Sequence, residues 1–274
     1  MAGIEHISIV ELHTSDAQAA LALSTEANWN QNEADWRFFL SKGIVFGVRD
    51  GTRLVATAAL LPYSAGNAWI SMVLVSANWR RRGIANALVD ACLNAARKLE
   101  LTASLDATPD GAAVYGPRGF MPTLQLRRLR LQNAGTAEAP PSLSSLSLDE
   151  LSACDRRAMG FERGLLLKEF AGRPGSRMLS TGHAMALVRD GRTARHIGPL
   201  FADDPAGALA LVHAIVQSET GPWIIDVVAS QVELLEALTD AGWNIERPFQ
   251  RMRFGHAATP GEAPPFAVAG PEFG

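Results

Sequence analysis

The stretch Trp69-Ile70-Ser71-Met72-Val73-Leu74-Val75-Ser76-Ala77-Asn78-Trp79-Arg80-Arg81-Arg82-Gly83-Ile84-Ala85-Asn86-Ala87-Leu88 constrains this chain more than any other. Ala68 to Val75 is almost continuously apolar, the pattern of a central strand buried on both faces. Gly83 to Leu99 carries Ile84, Leu88, Cys92 and Ala95 on one face, the spacing of an amphipathic helix. The strand therefore runs through a short basic loop directly into a helix. The first turn of that helix offers backbone N–H groups without intrahelical partners, at the positive end of the helix dipole. Gly83 and Ala85 leave the backbone uncovered, so an anion can approach those groups closely. Arg80, Arg81 and Arg82 add positive charge, and the corner reads as a phosphate site. Three arginines alone favour a solvated basic turn, or a nucleic-acid or targeting patch; the glycine, the helix start and the preceding strand reverse that in favour of the anion. The spacing is neither G-x-G-x-x-G nor G-x-x-x-x-G-K-[ST].

A chain of 274 residues is long enough for about two domains. Residues 133–145 contain small residues and Pro140-Pro141 without apolar periodicity, and read as a linker. Residues 256–274 repeat that character and read as an irregular tail. Residues 1–132 read as a mixed α/β region. It opens with a strand through Ile7, Ile9 and Leu12, a helix capped by Asp16 and a short helix from Asn32. Next come a hairpin turning at Asp50-Gly51 and the strand–loop–helix unit above. A strand over Thr102 to Ala107, a short helix near Ala112 to Tyr115 and a strand over Leu124 to Leu131 complete it. Residues 146–255 show comparable order. Ser147 and Glu150 have capping-box spacing, Asp190-Gly191 turns a hairpin, and Pro205 stands at a first helical position after Asp204. Strand Trp223 to Val228, helix Val232 to Ala241 and strand Phe249 to Phe254 follow. Hairpin, helix, strand, helix, strand is the later order of the first region, which implies a diverged structural repeat.

Arg80-x-x-Gly83-x-Ala85, after a central strand and before a long helix, resembles the R/Q-x-x-G-x-G/A motif of the GCN5-related N-acetyltransferases (GNAT). Val114-Tyr115-Gly116-Pro117-Arg118-Gly119-Phe120 is similar to that family's tyrosine helix ending in Gly-Phe. Asn28-Trp29-Asn30-Gln31, Thr108-Pro109 and Arg251-Met252 look like a bacterial two-domain subgroup. The resemblance implies an α+β fold: a mixed, mostly antiparallel sheet flanked by helices, then a second, smaller GNAT-like domain. It also implies an acetyl-CoA-dependent N-acetyltransferase acting on a primary amine, of a small molecule or a protein, by direct attack on the thioester.

In that family the arginine loop grips the pyrophosphate of acetyl-CoA. Arg80, Arg81, Arg82, Gly83, Ile84, Ala85 and Asn86 would do so here. The pantetheine arm lies between two splayed strands, which makes Val73, Leu74 and Val75 its main-chain neighbours. Tyr115 matches the general acid that protonates the departing thiolate. Gly116-Pro117 interrupts the helix where relatives continue it. Trp29 and Asn30 fall on the turn that borders the acceptor cleft in relatives, although Trp29 equally suits a packing role. Ser71 and Met72 stand where many relatives place a base. Asp106 and Glu33 are candidates for that role, with surface or capping roles favoured for both. In the second region the matching loop ends in Asp203-Asp204 at a helix start, whose carboxylates would occupy the N–H groups and repel a diphosphate. One CoA site per chain is expected, with the second region walling the acceptor cleft.

The rest of the composition excludes rather than selects. Apolar residues are 47%, charged residues 19% and net charge −3, ordinary for a soluble protein and against a dedicated nucleic-acid binder. Arg127-Arg128-Leu129-Arg130 is read as arginines pointing outward from a strand. No apolar run approaches the roughly 18 residues that cross a bilayer, and the start lacks a secretory pattern. Cys92 and Cys154, in separate expected helices, suit a cytoplasmic protein with reduced thiols. The six histidines show no paired metal spacing, so no metal is expected. The expected state is monomer or homodimer, without membrane or nucleic acid. A CoA-binding sensor or assembly module without turnover is the alternative, since no base is evident.

Overall fold

The computed structural model describes residues 8–132, 143–255 and 261–274. Ile7, residues 133–142 of the expected linker and residues 256–260 of the expected tail lie outside them. The described residues form two compact units. The first runs through Pro62 and includes Gly66–Ala103. It holds β1 (Ile9–Leu12), α1 (Ala17–Glu26), α2 (Glu33–Lys42), β2 (Ile44–Asp50), β3 (Arg53–Pro62), β4 (Asn67–Val75) and α3 (Ile84–Lys98). The strands pair antiparallel in the order β1-β2-β3-β4. Gly51, at φ 58°, supplies the positive dihedral that turns β2 into β3. β3 and β4 are buried almost end to end, so both faces of this sheet are covered.

Asn32 caps α2 reciprocally: its side-chain oxygen accepts the Asp35 N–H at 3.1 Å, and the Asp35 carboxylate accepts the Asn32 N–H at 3.0 Å. Asp16 does not cap α1. A 3-10 turn over Thr14–Asp16 precedes the helix and puts Asp16 at φ −88°, ψ −1°. Capping needs an extended residue. The Asp16 carboxylate instead reaches back to the His13 N–H at 2.9 Å and takes the Arg49 guanidinium.

The second unit comprises Tyr63–Ala65 and Ser104–Gly274. It contains most of β5 (Thr102–Ala107), then α4 (Pro109–Tyr115), β6 (Met121–Leu131), β7 (Ser144–Ser145), α5 (Leu148–Met159) and α6 (Gly164–Ala171). After these come β8 (Arg177–Ser180), β9 (Ala184–Arg189), β10 (Arg195–Ala202), α7 (Pro205–Ser218), β11 (Trp223–Val228), α8 (Val232–Asp240) and β12 (Asn244–Phe254). Its strand order is β5-β12-β6-β11-β10-β9-β8-β7. Ser147 and Glu150 form the expected capping box, and Asp204 caps α7 by accepting the Gly207 N–H at 2.7 Å. α6 and β8 had no clear signature. Leu165-Leu166-Leu167 has neither a helical nor an alternating period, and only packing separates exposed Leu165 from buried Leu166 and Leu167.

Along the chain the element order repeats in full. Strand, two helices, three strands, helix, strand, helix, strand describes β1 to β6 and again β7 to β12. The last strands of the two repeats are interleaved. β6 pairs antiparallel with β12 on one side and with β11 on the other, and β12 lies between β5 and β6. Two buried ion pairs accompany that exchange. Arg128 on β6 donates through Nε and Nη2 to the two oxygens of Asp226 on β11, both at 2.8 Å. Arg251 on β12 donates in the same bidentate manner to Asp106 on β5, both at 2.8 Å. The expectation that Arg128 points to solvent is therefore corrected: a strand alternates its faces, and Arg128 falls on the inward one with Leu126.

Candidate active site

Within the first unit the corner expected to take an anion is assembled from a bulge, a turn and an uncapped helix. In the β3–β4 ladder Ala59 pairs with Ser71 and Thr57 with Leu74, so Met72 and Val73 oppose Ala58 alone. Met72 takes φ 53°, and its carbonyl accepts the buried Thr57 hydroxyl at 2.8 Å. Such a bulge releases main-chain groups from their ladder partners. Val73 and Val75 are half-buried, and Leu74 is buried.

Beyond β4, a 3-10 turn over Ala77–Trp79 leads to the arginines, all three exposed. Arg80 donates from Nε to the Val75 carbonyl at 3.1 Å. Arg82 donates to the Asn78 carbonyl at 3.0 Å and stacks on Trp79, 4.6 Å from the ring centre. Arg81 at φ 61° and Gly83 at φ 79° bend the chain into α3. Gly83 stands at the N-cap and has no side chain to accept a first-turn N–H, and Ile84, the first helical residue, is buried beneath. A Cβ at Gly83 would meet nothing within 4 Å, so conformation and not space requires glycine. Gly83→Ala is expected to cost about 1–2 kcal/mol of strain, read as a lower melting temperature.

Glu26, at the end of α1, was not singled out from the sequence. Its carboxylate accepts the Ala77 N–H at 2.8 Å and the Ser76 hydroxyl at 3.0 Å, pinning the turn that carries the arginines. The Ala77 hydrogen bond holds its pKa below the ordinary value near 4.5; partial burial opposes this, while Ser76, Arg53 and Arg80 help. A depressed carboxyl pKa contributes order above the unfolded value, lost as pH falls through the folded one. Protection of the Ala77 amide against hydrogen exchange should therefore persist to below pH 4.5 and then fall. In Glu26→Ala it should be low at every pH. The only sequence signal was an acidic residue at a helix C-terminus, where the dipole disfavours it.

Two buried polar atoms of this unit have no hydrogen-bond partner among the described residues: Ser71 Oγ, next to the bulge, and Gln31 Oε1. Trp29 is half-buried and Asn30 buried on the same connection between α1 and α2. Glu33 is held by Arg37 at 2.6 Å and by Gln18.

Within the second unit, Thr108 caps α4 by accepting the Gly111 N–H at 3.3 Å, and Tyr115 is its last residue. Pro117 does not abolish the turn: Gly116–Arg118 continue as a 3-10 helix, closed by Gly119 at φ 93°. The Tyr115 ring packs on Phe120, centroids 5.9 Å apart, and Phe120 on Phe254 at 5.5 Å. It also lies over Gly111, where a Cβ would come within 3.1 Å of the ring. Tyr115 is 9% exposed. The Asp106 side chain is fully buried against Arg251, so neither the surface role nor a free base describes it. Burial pushes its carboxyl pKa up, with Arg251 opposing. Asp203 pairs with His183 at 3.3 Å, leaving the cap of α7 to Asp204 alone.

A bulged strand feeding an uncapped helix start, inside an element order met twice, defines the acetyltransferase class of α+β proteins. The chain belongs to the GNAT family of acetyltransferases, with one domain of that kind in each half. Residues 8–120 match the model of the acetyltransferase (GNAT) family, and residues 151–264 that of an acetyltransferase (GNAT) domain. It is 22% identical over 248 residues to the uncharacterized N-acetyltransferase YitH of Bacillus subtilis, covering 86% of this chain and 87% of that protein. A putative acetyltransferase from Pyrococcus horikoshii superposes with a TM-score of 0.83 at 19% identity, over 98% of this chain and 96% of the other. A GCN5-related N-acetyltransferase from Sphaerobacter thermophilus gives 0.65 at 14% identity, over 94% and 97%. A tandem GNAT protein from the clavulanic acid biosynthesis pathway gives 0.64 at 16%, over 92% and 100%. These likenesses establish the fold, and the family assigns the chain as an N-acetyltransferase. Among the described residues no helix is long and apolar enough to cross a membrane.

Proposed function

We propose that the chain transfers an acetyl group from acetyl-CoA to a primary amine, of a small molecule or a protein, by direct attack on the thioester. The observation that carries this reading is the bare start of α3: a left-handed Gly83 without a cap, flanked by three exposed arginines. Arg80, Arg81, Arg82 and the N–H groups of Gly83, Ile84, Ala85 and Asn86 hold the diphosphate. The released main chain of Val73, Leu74 and Val75 positions the pantetheine arm and polarises the thioester carbonyl. The amine forms the C–N bond and the C–S bond breaks. Tyr115 gives its phenolic proton to the leaving thiolate and regains one from solvent, while the amine's surplus proton leaves to water. Trp29 and Asn30 border the acceptor, and the partnerless Ser71 hydroxyl offers its amine a hydrogen bond.

The engagement of both Asp106 and Glu33 favours one further reading, a CoA-binding module without turnover. Calorimetry with acetyl-CoA and thiol release with a panel of amines separate the two. One equivalent bound with amine-dependent thiol release supports transfer, and binding without release supports the module. No binding at millimolar acetyl-CoA overturns both.

A further inference from the structure

The second half of the chain has its own version of the bulged strand, and its gap is filled. In the β9–β10 ladder Val188 pairs with Ile197 and Ala186 with Leu200, so Gly198 and Pro199 oppose Leu187 alone. This is the same two-against-one arrangement that Met72 and Val73 make in β4. β10 and β11 run parallel only over Arg195–Ile197 and Trp223–Ile225, then part at the bulge. Into the opening comes the segment Phe266-Ala267-Val268. Ala267 bridges Leu200 on one side and Val227 on the other. Leu200 donates its N–H to the Ala267 carbonyl at 2.9 Å, and Phe266 donates to the Leu200 carbonyl at 2.9 Å. Val228 donates to the Phe266 carbonyl and Val268 to the Asp226 carbonyl, both at 3.0 Å. Ala267 and Val268 are 0% exposed. Among its described residues, 261–274, the tail expected to be irregular has no helix or strand, yet the backbone of Phe266–Val268 is paired on both edges like an inserted strand.

We propose that Phe266–Val268 is the resident occupant of the second half's cofactor cleft, a peptide strand seated where an acyl-carrier arm would otherwise lie. The part of this claim that concerns the carrier rests on the function proposed above. Three features make the cleft a socket for peptide and not for a coenzyme. The segment satisfies the main-chain groups on both walls, which would otherwise be buried without partners. Pro199, at the bulge position of Val73, has no N–H to offer. Asp204 already occupies the first turn of α7, the place of an entering diphosphate. The cavity that remains at the mouth, about 400 Å³, carries Asp203 and Glu262 as well as Arg157 and His183. Two carboxylates face one arginine and a histidine there, so no electropositive field favours an anion.

The test uses the full chain. Amide exchange is measured at Leu200, Val228, Phe266 and Val268, and coenzyme A stoichiometry by calorimetry. The four amides are expected to exchange as slowly as those of central β11, with one equivalent bound. Val268→Pro removes the donor to Asp226, and exchange at Leu200 and Val228 should accelerate at least tenfold. Exposed-amide exchange rates in the unaltered chain, or two equivalents of coenzyme A bound, would overturn the proposal without any variant having to fold. Zero equivalents with slow exchange would reject the cofactor reading while leaving the seated segment intact.

Discussion

Asp226→Asn is expected to destabilise the second unit by about 3–5 kcal/mol, the usual effect of stripping one partner from a buried ion pair. At about 2–4 °C per kcal/mol for a unit of this size, the melting temperature should drop by about 10 °C. The reason is the company Asp226 keeps. It is 0% exposed, accepts both arms of Arg128, and receives His196 Nε2 at 2.9 Å. A carboxylate can only accept, so Nε2 carries the histidine proton. Burial lowers the His196 pKa against the pull of Asp226, which keeps the ring neutral. For Asp226 burial acts upward, but its two hydrogen-bonded partners, Arg128 and His196, outweigh it and hold the carboxyl far below the ordinary 3.8. Its contribution is therefore complete above pH 3.8 and disappears as pH falls through the lower folded value. The gap between the melting curves of wild type and variant should stay constant from neutrality to about pH 4 and close below it. Asp106→Asn should cost less. Asp106 has the same bidentate arginine but no histidine, and its pKa is raised, so its ionisation opposes folding at neutral pH. Replacing Arg128 and Asp226 together by Met and Leu should restore only part of the loss, since no charge is left unpaired but the buried His196 N–H loses its acceptor.

Turnover in Tyr115→Phe should fall about 100-fold or more at saturating acetyl-CoA, within the range general acids supply. Its coenzyme A affinity should match wild type, because the role proposed for the phenol is at the leaving thiolate and not at the diphosphate. The variant keeps the ring, so its packing on Phe120 and over Gly111 persists. A larger kcat loss with thiols of higher pKa, tested with acyl donors of graded leaving ability, distinguishes proton donation from mere positioning. Full turnover in Tyr115→Phe would remove the assignment.

The parts of this protein written in short-range chemistry were readable before any coordinates. Ser147 and Asp204, read in the sequence as standing at helix starts, cap α5 and α7; Asn32 and Thr108, not read as caps, do the same for α2 and α4. Asp16 looked the same in sequence but failed, because a preceding 3-10 turn withdrew the extended backbone that capping needs. The arginine loop, Gly83 and the amphipathic α3 followed from spacing alone. Glu26 was missed because it lies 51 residues from the N–H it accepts, and nothing near it in the chain announces that partner.

The repeat of element order, the basic corner at a helix start and the tyrosine helix were set by the sequence itself, through local backbone preference and hydrophobic period. Tertiary structure alone decided that the last strands of the two repeats interleave, that Arg128 and Arg251 turn inward to Asp226 and Asp106, and that Phe266–Val268 enters the gap beside β10. Those partners are 98 and 145 residues apart in the ion pairs. Which buried donor meets which buried acceptor at such distances depends on how strands are ordered in the sheet, and no local pattern carries that information.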